Sequence, residues 1–221
     1  MTTITKQDDY TALTDASALI ARADTSIIEL TDADRADFLH RITTNEINGL
    51  KPGQSTVTVL TSPTARILYA FTVVAQEESL LLLPEPGHGE ALARYLQGQI
   101  FFMDQVKVAD VSNTQTRVRL VGPAAGSALR KLGFDTGDMT DGNAPQLENL
   151  LVVRQEKYGV PGYELIVPTV EKDAFVIRLQ EAGVTLLENE DAYEAYRIEL
   201  GAPAVGHELT DEYNPLEVGL R

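Results

Sequence analysis

The stretch "STVTVLTSPTARILYAFTVVAQEESLLLLPEPG", residues 55–87, does most to limit what this chain can become. It holds three runs rich in β-branched and aliphatic residues, separated only by turn-length gaps at Pro63 and at Glu77–Glu78. Val57 and Val59 alternate with Thr56 and Thr58, the period of a strand. Gaps this short cannot carry a crossover helix, so the three strands are expected to pair as hairpins in an antiparallel sheet.

The flanking segments add helices. "SIIELTDADRADFLHRIT" reads as a strand followed by a helix, with Thr31 and Asp34 as a variant capping box ahead of Phe38, Leu39 and Ile42. "GHGEALARYLQGQI" is a helix with Leu92, Tyr95 and Leu96 on one face, and "QVKVADV" a strand. The second half repeats the order. "TRVRLVG" is a strand, "AAGSALRKLG" a helix closed by Gly133, and "NLLVVRQE" and "GYELIVP" are strands. "VEKDAFVIRLQEAG" is a helix burying Phe175, Val176 and Leu179, and "NEDAYEAYRIELG" carries Tyr193, Tyr196 and Leu200 on one stripe. The expected class is α+β: antiparallel sheets with helices packed on them, in two pseudo-repeated ferredoxin-like halves. The expected division is an N-terminal segment 1–24, a first half 25–114 and a second half 115–221.

Composition narrows function by exclusion. A net charge of −15 leaves no basic footprint for nucleic-acid backbones or anionic membranes. No cysteine is present, so disulfides, thiolate metal sites and a Cys nucleophile are out, which fits a reducing compartment. The start "MTTITKQDDYTAL" has no signal-peptide pattern, and a cytoplasmic protein is expected. The histidines His40, His88 and His207 lie far apart, and the spacing of Asp135, Asp138 and Asp141 does not match a calcium loop, so no metal is expected. "PGHGE" at a helix start offers free N–H groups to an anion, a common feature with little specificity.

Two stretches carry more. In "KYGVPGYELIVP" a tight turn of Gly159, Pro161 and Gly162 leads into a strand. Alternation places Glu164, Ile166 and Pro168 on one face, with Tyr163, Leu165 and Val167 on the other. A carboxylate among apolar neighbours calls for hydrogen-bond donors: a backbone cap, an arginine, or a ligand with paired N–H groups. In "AYRIELGAPAVGHEL", Arg197 and Glu199 flank Ile198 on a helix that Gly201 and Pro203 end, a plain helix end with solvated charges or a polar site.

Together with "DFLHRITTNEINGLKPGQSTVTVLTSPTARILYAFTVV", these stretches resemble the folate-binding aminomethyltransferase-like proteins, the glycine-cleavage T-protein and its YgfZ-type relatives. "GVPGYELIVP" is similar to that family's glycine turn before a glutamate strand. "AYRIELGAPAVGHELTDEYNPLEVGL" resembles the segment where an R-x-E-x-G helix end meets a P-x-E loop. In the YgfZ-like branch that loop leads to a K-G-C-Y-x-G-Q-E segment and a C-terminal β-barrel. Neither is in this sequence, so the resemblance implies the folate-binding body alone.

The resemblance implies tetrahydrofolate as the small-molecule partner and a folate-binding set of Glu164, Glu85, Tyr69, Tyr193 and Arg197. T-proteins end a G-I-L-D-D strand on an aspartate at the transfer nitrogen, whereas the matching run here is "RILYA", with Tyr69 and Ala70 at the acidic positions. Tyr193 stands where an arginine is expected, and Glu85 where an asparagine follows the third strand. Glu164 alone keeps the carboxylate that pairs with the pterin edge. That pattern implies retained pterin binding with little or no aminomethyl transfer, and iron–sulfur proteins as clients. An active aminomethyltransferase and a ligand-free interaction domain are the alternatives.

Overall fold

The computed structural model describes residues 6–22, 24–156 and 159–220; Lys157 and Tyr158 of the "KYGVPGYELIVP" stretch lie outside the described residues. In chain order the elements begin with α1 (Lys6–Asp15), β1 (Ala18–Ile20), β2 (Ile28–Thr31), α2 (Arg35–Ile42), β3 (Ser55–Thr61), β4 (Ile67–Ala75) and β5 (Leu80–Pro84). There follow α3 (Gly89–Gln99), β6 (Lys107–Asp110), β7 (Gln115–Val121), α4 (Ala125–Lys131), β8 (Gln146–Leu147), β9 (Leu150–Gln155) and β10 (Gly162–Pro168). The chain closes with α5 (Lys172–Glu181), β11 (Thr185–Leu186) and α6 (Asp191–Glu199). Among the described residues, no helix is long and apolar enough to cross a membrane.

The chain divides into two compact units, Met1–Arg22 with Arg117–Ala202, and Ala23–Thr116 with Pro203–Arg221. The second has a five-stranded sheet in the order β3-β4-β5-β2-β6, antiparallel throughout. Helices α2 and α3 cover one face: Phe38, Leu39, Leu92 and Leu96 pack on Leu30, Leu60, Phe71, Val73 and Leu82, all buried. Phe71, Val73 and Ala75 share that face while Ala70, Thr72 and Val74 are buried as well, so the middle of β4 is covered on both faces. The expected Val57/Thr58 alternation fails for the same reason: Thr58 is fully buried and Val57 only half so. The Thr58 hydroxyl accepts the Asn45 N–H at 3.2 Å, which satisfies the polar atom there.

The first unit has a six-stranded sheet, β11-β1-β7-β10-β9-β8. Its order shows the α+β duplication plainly. The sequence β2-α2-β3-β4-β5-α3-β6 recurs as β7-α4-β8-β9-β10-α5-β11, and the two sheets match strand for strand except that β1 is inserted between β7 and β11. β1 is antiparallel to β7 and parallel to β11, so one short strand from the chain's start completes the sheet. Helices α4 and α5 bury Ala125, Leu129, Phe175 and Leu179 against Leu19, Leu120, Val152, Tyr163 and Leu165. On the other face α1 and α6 pack Leu13 and Ala192 on Ala18, Ile20 and Val121. Leu200 does not join that stripe; it is exposed, and Arg197 is the buried residue of the helix's last turn.

One helix start departs from expectation. α2 begins at Arg35 behind Asp34, whose side chain makes no capping bond. Its Oδ2 instead accepts the Gln105 N–H at 2.7 Å while the Asp34 N–H donates to the Gln105 carbonyl at 2.9 Å. The loop before β6 thus takes the acceptor that a capping box would have used.

Candidate functional site

β10 is placed by its first residue. A Cβ on Gly162 would lie 2.5 Å from the Leu120 carbonyl oxygen, so only glycine lets β10 come this close to β7. From there alternation runs as the sequence implies: Tyr163, Leu165 and Val167 join the core under α4 and α5, and Glu164 faces the opposite side. Its neighbours there are apolar and buried: Val153, its partner on β9, and Ile166.

Only 14% of the Glu164 side chain is exposed. Its ion-pair partner is Arg119 of β7, itself 11% exposed, with Nη1 3.6 Å from Oε1. That separation exceeds a hydrogen bond. Arg119 instead donates from Nη1 to the Gln155 side-chain oxygen and from Nη2 to the Val160 carbonyl. Gln155 lies opposite Gly162 on β9, and Val160 is buried in the turn before β10. Among the described residues nothing donates a hydrogen bond to the Glu164 carboxylate. A mostly buried glutamate thus has its charge matched and its acceptors open, and it can receive two parallel N–H groups.

The other residues expected at the site fall into two groups. Tyr193 and Arg197 are on α6. Arg197, 4% exposed as a residue, donates from its guanidinium Nε to Glu194 at 2.6 Å and from Nη2 to the other Glu194 oxygen. Its Nη1 donates to the Ala202 carbonyl at 3.1 Å, which ties down the chain leaving the helix. Tyr193 packs on the core beneath α1 and lies under the Arg22 guanidinium, 5.3 Å from ring centroid to Cζ. In the second unit, Tyr69 is on β4, opposite Leu60, its ring 5.8 Å from that of Tyr95 on α3. Glu85 is exposed just past β5. Because β4 and β5 last pair at Phe71 and Pro84, Ala70 and Glu85 are the next residues on the two strands, so the "RILYA" run and Glu85 share one end of that hairpin.

The sequence offers an arginine as one possible partner for Glu164 but does not single out Arg119. The available signal was the alternation in "TRVRLVG": Val118 and Leu120 are core residues, so Arg117 and Arg119 share the far face. The missing step was that β7 lies next to β10, which no local pattern reveals. Among the described residues, no group of three or more His, Asp or Glu side chains is gathered to hold a metal.

The architecture has a close counterpart among solved structures. The glycine cleavage system aminomethyltransferase T from Bartonella henselae superposes with a TM-score of 0.86 over 96% of this chain and 59% of that one, at 19% identity. A heterotetrameric sarcosine oxidase from Corynebacterium matches with a TM-score of 0.54 at 21% identity, over 75% of this chain and 83% of that one. The fold is thus that of the aminomethyltransferase class. Residues 4–221 match the GCVT N-terminal domain, and the chain belongs to that family. Relatives include a putative chloroplast transferase of Arabidopsis thaliana, 28% identical over 87% of this chain and 46% of that protein. Aminomethyltransferases of Chlorobium luteolum and Geobacillus kaustophilus are 28% and 27% identical, over 84% and 83% of this chain and 53% and 52% of theirs. The chain spans about half the length of these curated relatives.

Proposed function

We propose that this chain binds tetrahydrofolate through Glu164, carries out little or no aminomethyl transfer and serves iron–sulfur protein maintenance, the role that the resemblance to YgfZ-type proteins implies. The observation that carries the reading is the state of the Glu164 carboxylate, mostly buried and accepting no hydrogen bond among the described residues. A pterin ring presents an amino group and a ring N–H side by side, and a carboxylate accepts both. Against transfer stands Ala70, buried and chemically inert where an acid would be needed. The adjacent Tyr69 packs against Tyr95.

Calorimetry with tetrahydrofolate tests the binding. Wild type should bind saturably, and Glu164→Ala should lose about 2 kcal/mol or more, roughly 30-fold, as for a charged hydrogen-bonding group removed from a buried site. Equal affinity in the variant rejects Glu164 as the anchor, and no binding in wild type leaves an interaction domain as the reading.

A second reading, an active aminomethyltransferase, is favoured by the relatives of that name. Turnover with a methylene donor and tetrahydrofolate separates the two. A kcat in the ordinary enzymatic range, about 1 per second or faster, supports the transferase.

A further inference from the structure

We infer that Arg119 is a positioning residue for Glu164, a counter-charge held slightly away from the carboxylate so that both oxygens stay open to a ligand. The inference rests on the folate reading above and concerns how the same site is prepared. A carboxylate taken out of water needs a compensating charge, and a buried one left without any is strongly unfavourable. The usual solution is an arginine fork closed on both oxygens at roughly 2.7–2.9 Å, which would consume the acceptors a ligand needs.

The geometry here differs in a way that preserves them. Nη1 and Oε1 stand 3.6 Å apart, close enough for charge compensation and too far for a hydrogen bond. The guanidinium is kept there by donating elsewhere, to Gln155 on β9 and to the Val160 carbonyl before β10. Gly162, opposite Gln155, brings β7 and β10 near enough for a residue on one to face a residue on the other. The pair carries no net charge, so a neutral donor edge such as a pterin's can dock without leaving an unbalanced ion behind.

The roles of charge and fork are separable by substitution. Tetrahydrofolate binding is measured by calorimetry for wild type, Arg119→Gln, Arg119→Lys, Glu164→Ala and the double variant Glu164→Ala/Arg119→Gln, with thermal unfolding of each. Arg119→Gln is expected to weaken binding at least tenfold. Arg119→Lys should also stay weakened at least several-fold, because the charge returns without the two anchors that hold it off the carboxylate, and a free ammonium can close on an oxygen the ligand needs. The double variant should bind no worse than Glu164→Ala alone.

A merely structural Arg119 would weaken binding independently of Glu164 and make the double variant worse than Glu164→Ala alone; that result, or full affinity in Arg119→Lys, overturns the proposal. So does Arg119→Gln binding within twofold of wild type. Should Arg119→Gln fail to fold, Gln155→Ala takes its place. It frees one side of the guanidinium and should weaken binding, and unchanged affinity there is equally fatal. If wild type does not bind, or Glu164→Ala binds like wild type, the folate reading fails and this inference with it, a pattern distinct from a failure confined to position 119.

Discussion

Buried ionisable side chains other than Glu164 shape the stability of the first unit. Arg197 lies under the end of α6 with its donors taken by Glu194 and the Ala202 carbonyl. Arg197→Met should destabilise by about 2 kcal/mol, because the helix exit loses its tie and Glu194 its partner. Urea denaturation of the variant gives the figure. Asp9 of α1 is the opposite case: it is 3% exposed, and among the described residues its Oδ1 has no hydrogen-bond partner. Burial raises its pKa above the usual carboxylate value, and the nearby Glu188 and Asp8 push in the same direction. A carboxyl that holds its proton more tightly when folded favours the native state at low pH, and that advantage is lost as pH rises through the folded pKa. Asp9→Asn should therefore be more stable than wild type at pH 7, with the gap closing near pH 4. Paired urea melts at the two values check the sign. At this scale the sequence told much about Glu164, whose alternation in "GYELIVP" fixes its face, and little about Arg197, whose place under a helix end depends on how the chain turns after Gly201.

Among the elements, β10 carries the most demanding constraint. Gly162→Ala puts a methyl 2.5 Å from the Leu120 carbonyl, backbone that cannot rotate away. The expected loss is about 2 kcal/mol by urea denaturation, with the β7–β10 spacing wedged open and folate affinity falling with it. The loop before β6 is also firmly held. Asp104 accepts the Phe101 N–H at 2.9 Å and both its oxygens take Arg41 Nη2 at 3.0 Å. Its pKa is lowered by the Phe101 N–H foremost and by Arg41. That contribution is present above the ordinary carboxylate pKa and lost as pH falls below it. Strands and helices with strong periodicity were legible: β3 to β5, α3, α5 and the Gly133 and Gly183 stops, both at positive φ. The Thr31–Asp34 cap was not, because Asp34 found a partner 71 residues away along the chain at Gln105.

For the whole molecule, the repeated order of strands and helices was readable from the sequence, and the insertion of β1 was not. Ala18–Leu19–Ile20 is too short to announce a strand; its identity comes from Arg119–Val121 on one side and Thr185–Leu186 on the other. It sits inside the sheet, with Ala18 and Leu19 fully buried. A chain lacking residues 1–22 should thus lose the cooperative unfolding of its first unit while residues 23–116 keep theirs. Hydrogen exchange read by mass spectrometry would show β7 and β11 unprotected and β4 and β5 still slow.

The strand wedged into one sheet alone has a further consequence. Two copies of one topology on a single polypeptide invite mistaken exchange, each half offering the other's ribbons a familiar berth. A rung that only the later copy can accept breaks that equivalence. A ribbon that wandered across would meet a ladder with the wrong number of places, and the amino-terminal end would be left with nowhere to dock.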